Sequence, residues 1–144
     1  MTTRQNYCTI VHVKITADTN VFLAVALKEP ERKQIIELTT GHELIAPAIL
    51  PFEVGNALSA MAKRGIVTAE EAAMAWSTVQ SIAVDLRQIN MESSLALAIR
   101  FGIYAYDAYF LECALRSSSP LLSLDKGMKH IAQRLHIEIV EIRL

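Results

Sequence analysis

Residues 10–20 read IVHVKITADTN, and their pattern decides the fold class. Val11, Val13 and Ile15 alternate with polar residues at the two-residue period of a β-strand, and the run stops at Asp18-Thr19-Asn20, a turn or helix-cap signature. A first strand, Ile10 to Ala17, therefore delivers Asp18 at its C-terminal end. Far along the chain PLLSLD, residues 120–125, repeats the device: a short apolar run, Pro120 to Leu124, ends in Asp125.

Between these two strand ends the hydrophobic period switches repeatedly. Val21 to Leu27 and Glu31 to Leu38 read as short helices, with Pro30 suited to the first position of the second and Gly41 closing the pair. Leu44 to Pro47 is strand-like. Leu50 to Lys63 carries Val54, Leu58, Met61 and Ala62 at helical spacing before Gly65 stops it, which puts Glu53 in a first turn. Thr68, with Glu71 three residues on, is a capping box for a helix to about Ile82, and Val84, Leu86 and Ile89 suggest another strand. Met91, Leu95, Ala98 and Ile99 mark an amphipathic helix ending at Gly102. Asp107 opens an apolar helix through about Leu115. After Asp125 a helix spans about Lys126 to Leu135, and Ile137, Ile139, Val140 and Ile142 predict a final strand. Strands alternating with helices predict an α/β fold with a central parallel sheet.

The 144 residues suffice for one buried core and fall short of two independent domains, so a single domain over 1–144 is expected, with residues 1–10 as a flexible leader. Half the residues are apolar, and the few Gly and Pro form no linker. No apolar run has the length of a membrane span and the N-terminus lacks a signal-peptide core, which predicts a soluble cytoplasmic protein. Cys8 and Cys113 match no metal-ligand spacing and read as free thiols. A net charge of −1 excludes a broadly basic nucleic-acid coat, because generic phosphate affinity needs many Lys and Arg acting together; a local basic rim remains open.

In open α/β sheets ligands bind beyond the C-terminal strand ends, where Asp18 and Asp125 fall. Glu53 and Asp107 each lie near a helix start that can return to the same edge. Four carboxylates brought together cannot all stay ionised without raised pKa values or bound cations, and hard oxygen ligands select Mg²⁺ or Mn²⁺. Two such ions activate water and neutralise a scissile phosphate, so phosphodiester hydrolysis is the natural reaction. Each acid also has a plainer role: a cap at Asp18 or Asp107, a helix-dipole partner at Glu53, a turn at Asp125. Glu112, about 140° around the helix from Asp107, is expected to pair with Arg116 instead, and Asp85 to lie on an exposed strand face.

Ala17-Asp18-Thr19-Asn20, Pro47 to Leu58 with Glu53, Tyr106-Asp107-Ala108-Tyr109 and Leu122-Ser123-Leu124-Asp125 stand in the order found in PIN domains. The chain resembles their VapC toxin branch from about Val13 to Ile142. The resemblance implies a three-layer α/β/α fold and a metal-dependent endoribonuclease, the toxin of a toxin–antitoxin pair. It implies that Asp18, Glu53, Asp107 and Asp125 hold Mg²⁺ or Mn²⁺ and carry catalysis, with Asn20 and Ser123 orienting ligands or water. Serine stands at 123 where threonine is usual, which keeps the hydroxyl and gives up the stiffness of a β-branched side chain. The implied partners are an RNA substrate, a cognate antitoxin and a second copy of the chain.

Lys126, Lys129, His130 and Arg134 recur at helical intervals after Asp125, as a candidate stripe for an RNA backbone or as an ordinary solvated face. Tyr104, Tyr106 and Tyr109 flank Asp107 and are placed either to stack on a splayed base or to pack. Phe22, Leu23, Ile35 and Ile36 read either as a peptide groove or as core, and Trp76, with Met74 and Val79, as a buried helix face. Two other functions compete. A phosphatase would use Asp18, although Asn20 replaces the second acid of a DxD motif; an inactive module would bind RNA or a regulator without turnover.

Overall fold

The computed structural model describes residues 12–143. The expected leader, residues 1–10 with Cys8 among them, lies outside the described residues. Four strands and seven helices run in the order β1 (Lys14–Ala17), α1 (Thr19–Ala26), α2 (Arg32–Thr39), β2 (Glu43–Pro47), α3 (Leu50–Lys63), α4 (Ala69–Ser81), β3 (Asp85–Arg87), α5 (Met91–Phe101), α6 (Ala105–Arg116), β4 (Leu121–Leu122) and α7 (Lys126–Arg134). Among the described residues no helix is long and apolar enough to cross a membrane.

The strands form one parallel sheet in the order β3-β2-β1-β4, with Thr16 registered against both Ile45 and Leu121. Interior strands of such a sheet are covered on both faces, which is why Ile15, Thr16 and Ala17 are all buried although the sequence suggests simple alternation. The one polar member, Thr16, is satisfied within the core by the Ser119 hydroxyl at 2.6 Å. Right-handed crossovers dictate the layers: β1 to β2 to β3 steps one way across the sheet, putting α1 to α4 on one face, and the return from β3 to β4 puts α5 and α6 on the other. Accordingly α1, α3 and α4 pack on one another, and α5 packs on α6, which lies against β1 and β2. Phe22, Phe110, Leu111, Leu121 and Leu122 are fully buried around the sheet.

The caps read from the sequence are in place. Thr68 accepts the Glu71 N–H at 3.1 Å to open α4, and Gly102 ends α5 at φ +63°, a left-handed conformation that glycine adopts without a Cβ clash. Pro30 differs from expectation: α2 is capped at Glu31, so the proline sits in the turn ahead of the helix, where its fixed φ also fits.

The predicted final strand is reduced to one parallel bridge, Leu121 to Ile139, closed by the Leu121 N–H to Glu138 and the Val140 N–H to Leu121. Its neighbour β4 is two residues long, because the turn at Ser123 begins at once, and residues 141–143 have no ladder to join. In α5 the predicted apolar face is buried only at Ala98, beside Ser94, while its larger members Met91, Leu95 and Ile99 are exposed. The small Ser94 and Ala98 are buried, and Leu97 is the larger side chain of α5 that packs against the core. Similarly Ala75 and Val79 are the buried positions of α4, with Met74 exposed and Trp76 half-buried. Of the residues read either as a peptide groove or as core, Phe22, Leu23 and Ile35 belong to the core and Ile36 is exposed.

Candidate active site

Asp18 ends β1 and caps α1, its Oδ1 accepting the Thr19 N–H at 2.7 Å. Asp125 follows β4 and caps α7, its Oδ1 accepting the Met128 N–H at 2.9 Å. Because β1 and β4 are parallel neighbours, the two caps leave the sheet side by side. They do so where one connection crosses towards β2 and the other turns away from it, the switch point at which ligands bind in such sheets.

Ser123 ties the pair together. Its hydroxyl donates to Asp18 Oδ2 at 3.0 Å and accepts the Asp125 N–H at 3.0 Å, so one side chain fixes both strand-end acids. The supporting role implied for Ser123 has this geometry behind it. Thr19 does the same on the other side: its N–H serves Asp18, and its hydroxyl donates to Glu53 Oε2 at 2.6 Å, bringing in the first turn of α3. Sequence reasoning gave Thr19 a place in a turn signature only. The available signal was a hydroxyl directly after a strand-end acid, at the first position of the helix that the acid caps. Asp107, in the first turn of α6, completes the set.

All four acids line one cavity of about 540 Å³, together with Thr19, Asn20, Ile49, Phe52, Asn56, Ala57 and Tyr106. Burial raises Asp18 to about 6, offset in part by the hydrogen bonds from Ser123 and Thr19 and reinforced by the charges of Asp107 and Glu53. Burial also raises Glu53, with Thr19 opposing and Asp107 adding to the shift. Asp107 is raised by burial and then by the charge of Asp125. Asp107 thus couples electrostatically to every other member.

These donors fit a hard divalent cation. They are all oxygens, and a cation relieves both the desolvation and the mutual repulsion that raise them. Among the described residues no three acidic, His or Cys side chains close into a ready-made metal cage.

Other residues singled out from the sequence fall elsewhere. None of Lys126, Lys129, His130 and Arg134 lines the cavity; α7 carries them away from Asp125, and the Arg134 guanidinium lies over the Phe101 ring, 5.0 Å from its centre. Tyr104 is exposed, Tyr106 reaches the cavity, and Tyr109 is half-buried beside it. Asp85 is exposed and pairs with Arg87 at 2.8 Å, Glu112 is buried and pairs with Arg116 at 3.2 Å, and Cys113 is a buried free thiol.

Known proteins resemble this chain in sequence and in fold. A Pyrobaculum aerophilum protein named Ribonuclease VapC3 is 25% identical over 121 residues, covering 81% of this chain and 92% of its own. The crystal structure of PAE2754, from the same organism, superimposes with a TM-score of 0.63 at 21% identity, covering 87% of this chain and 98% of that one, and so supports the fold. The PIN domain family model matches residues 15–134, from the first strand through the helix that follows Asp125. With that span matched and the strand-end acids where the fold puts them, the chain belongs to the PIN domain family.

Proposed function

We propose that this chain is a divalent-metal-dependent endoribonuclease that hydrolyses RNA phosphodiester bonds at the Asp18, Glu53, Asp107 and Asp125 cavity, as the toxin of a toxin–antitoxin pair. The observation that carries the reading is the convergence of four acids from four connections on one switch-point cavity. The family match and the ribonuclease name of a relative support a nuclease.

Bound Mg²⁺ or Mn²⁺ would supply a water of lowered pKa and neutralise charge on the scissile phosphate and the leaving 3′ oxygen. Asp18 is held for that role by Thr19 and Ser123, Glu53 by Thr19, and Asp125 by the first turn of α7. The exposed amides of Asn20 and Asn56 stand at the cavity to donate hydrogen bonds to phosphate or water. Lys126, Lys129 and His130, leading away along α7, are proposed to guide the RNA backbone, with Arg134 at the far end. An antitoxin and a second copy of the chain are the proposed protein partners, and the exposed Met91, Leu95 and Ile99 stripe of α5 is a candidate for the contact between copies.

The test is incubation of antitoxin-free protein with a pool of structured RNAs in Mg²⁺ or Mn²⁺ and in EDTA, beside Asp18→Asn and a small phosphomonoester control. Metal-dependent cuts lost in the variant are expected. Folded protein that leaves RNA intact and hydrolyses the monoester would point to a phosphatase, and one that does neither to an inactive module.

A further inference from the structure

Phe101, the last residue of α5, carries two cations from different helices on its ring. The guanidinium carbon of Arg100 lies 4.9 Å from the ring centre, and that of Arg134, in the last turn of α7, lies 5.0 Å from it. The two guanidinium groups therefore stand no farther apart than the sum of those distances. A basic residue in the last turn of a helix is ordinary, since it complements the helix dipole. That does not explain two converging on one ring, because like charges repel and each helix end is served as well by a side chain that points elsewhere. The ring's quadrupole attracts both cations and limits where each can swing.

Neither charge is neutralised within the molecule. Arg87 pairs with Asp85 and Arg116 with Glu112, whereas among the described residues neither Arg100 nor Arg134 has a carboxylate within ion-pair distance. Both side chains are exposed. A guanidinium is a planar fork of N–H donors matched to phosphate oxygens, and stacking on a ring leaves the edge of that fork free. The pair also ends a track. Lys126, His130 and Arg134, four residues apart, share one face of α7, which begins at the Asp125 cap. At the rise of a helix, Arg134 lies about 13 Å along the axis from Asp125. The cavity has no Lys or Arg among its lining residues, so the charge that draws in a polyanion has to stand outside it.

We infer that Arg100 and Arg134, spread over Phe101, form a clamp for a backbone phosphate, which anchors the RNA strand about 13 Å along α7 from the acidic cavity. The identity of the ligand as RNA rests on the nuclease reading; the phosphate chemistry of the clamp does not. Phosphate contacts position a strand and carry no sequence information, so the clamp holds the strand whatever its bases.

The experiment measures anisotropy of fluorescein-labelled oligouridylate and oligoadenylate in Ca²⁺ buffer over a range of KCl concentrations. Wild type is compared with Arg100→Gln, Arg134→Gln, the double variant, Arg134→Lys and, as a charge control on α2, Lys33→Gln. Each single glutamine variant is expected to lower the slope of log affinity against log salt by about 0.7, the share of one phosphate on a single strand. Low-salt binding weakens roughly 2- to 5-fold for both sequences. Arg134→Lys keeps the slope, because an ammonium still displaces a counterion, and Lys33→Gln leaves it unmoved. Slopes unchanged in both single glutamine variants, or lowered as much by Lys33→Gln, overturn the clamp, while a Mn²⁺-induced rise in melting temperature leaves the nuclease reading standing. Inorganic phosphate is titrated separately against melting temperature. Wild type that binds no RNA yet is stabilised by phosphate, with the double variant unresponsive, supports the clamp and counts against RNA as its ligand; wild type that responds to neither overturns it.

Discussion

Asp18 does two jobs that pull against each other: it caps a helix, and it keeps a carboxylate 95% out of water because only 5% of the residue is exposed. Its pKa of about 6 in the fold against an ordinary 3.8 means that the native state binds the proton more tightly. Stability therefore falls as pH rises from about 3.8 to about 6 and stays lowered above, by an amount on the order of 2–3 kcal/mol from this one group. Asp18→Asn, which keeps an oxygen for the Thr19 N–H, is expected to raise the urea midpoint at pH 7.5 in EDTA and to lose that advantage near pH 3; a lower midpoint at pH 7.5 contradicts the account. The strand-end and helix-start positions of the four acids were legible from hydrophobic period and turn chemistry, while their role as one site was implied by the resemblance to PIN domains. Thr19's second bond was not, because its partner Glu53 lies 34 positions away and only the sheet order brings them together. The same holds for Phe52 and Asn56, whose cavity positions follow from how α3 approaches β1, not from any local pattern.

Elements with explicit punctuation were read closely: α3 ends just ahead of Gly65, α4 begins after the Thr68 cap, and α5 ends at Gly102. The last strand was read wrongly because its apolar content reports burial, and Ile137 is buried, whereas a ladder also needs a neighbour of matching length. The orientation of α5 was misread as well. Of the face read from the sequence only Ala98 is buried, together with Ser94, while Met91, Leu95 and Ile99 are exposed. Since Leu95 and Ile99 already meet water, with Ile99 78% exposed, the double change Leu95→Lys, Ile99→Lys should shift the stability of the single chain by only about 0.5 kcal/mol per site. If this stripe covers a second copy, sedimentation of the variant shows monomer where wild type shows dimer; a wild-type and variant that sediment alike remove α5 from the contact.

At the scale of the molecule, the parallel sheet and its two helical layers form one packing unit in which α6 holds both the sheet and the site. Leu111, wholly buried on α6, follows Tyr106 and Asp107 by about a turn. Leu111→Ala is expected to cost roughly 2–5 kcal/mol in urea unfolding, through lost transfer energy and an unfilled cavity; a loss below about 1 kcal/mol would show that the helix relaxes into the gap. The sheet order itself was inferable only as parallel, since nothing local states that the last strand pairs with the first. That pairing has a consequence in time. The Asp18–Ser123 bond spans 105 positions, and β4 joins β1 only after everything between them exists. During synthesis a chain that has already emitted Asp18, Glu53 and Asp107 has β2 to dock on one side of β1, but no β4 for the other side and no second strand-end acid. The cavity closes only once residues 121–125 have been made, so a ribosome that stalls short of Ser123 releases a fragment with three of the four acids and no assembled site.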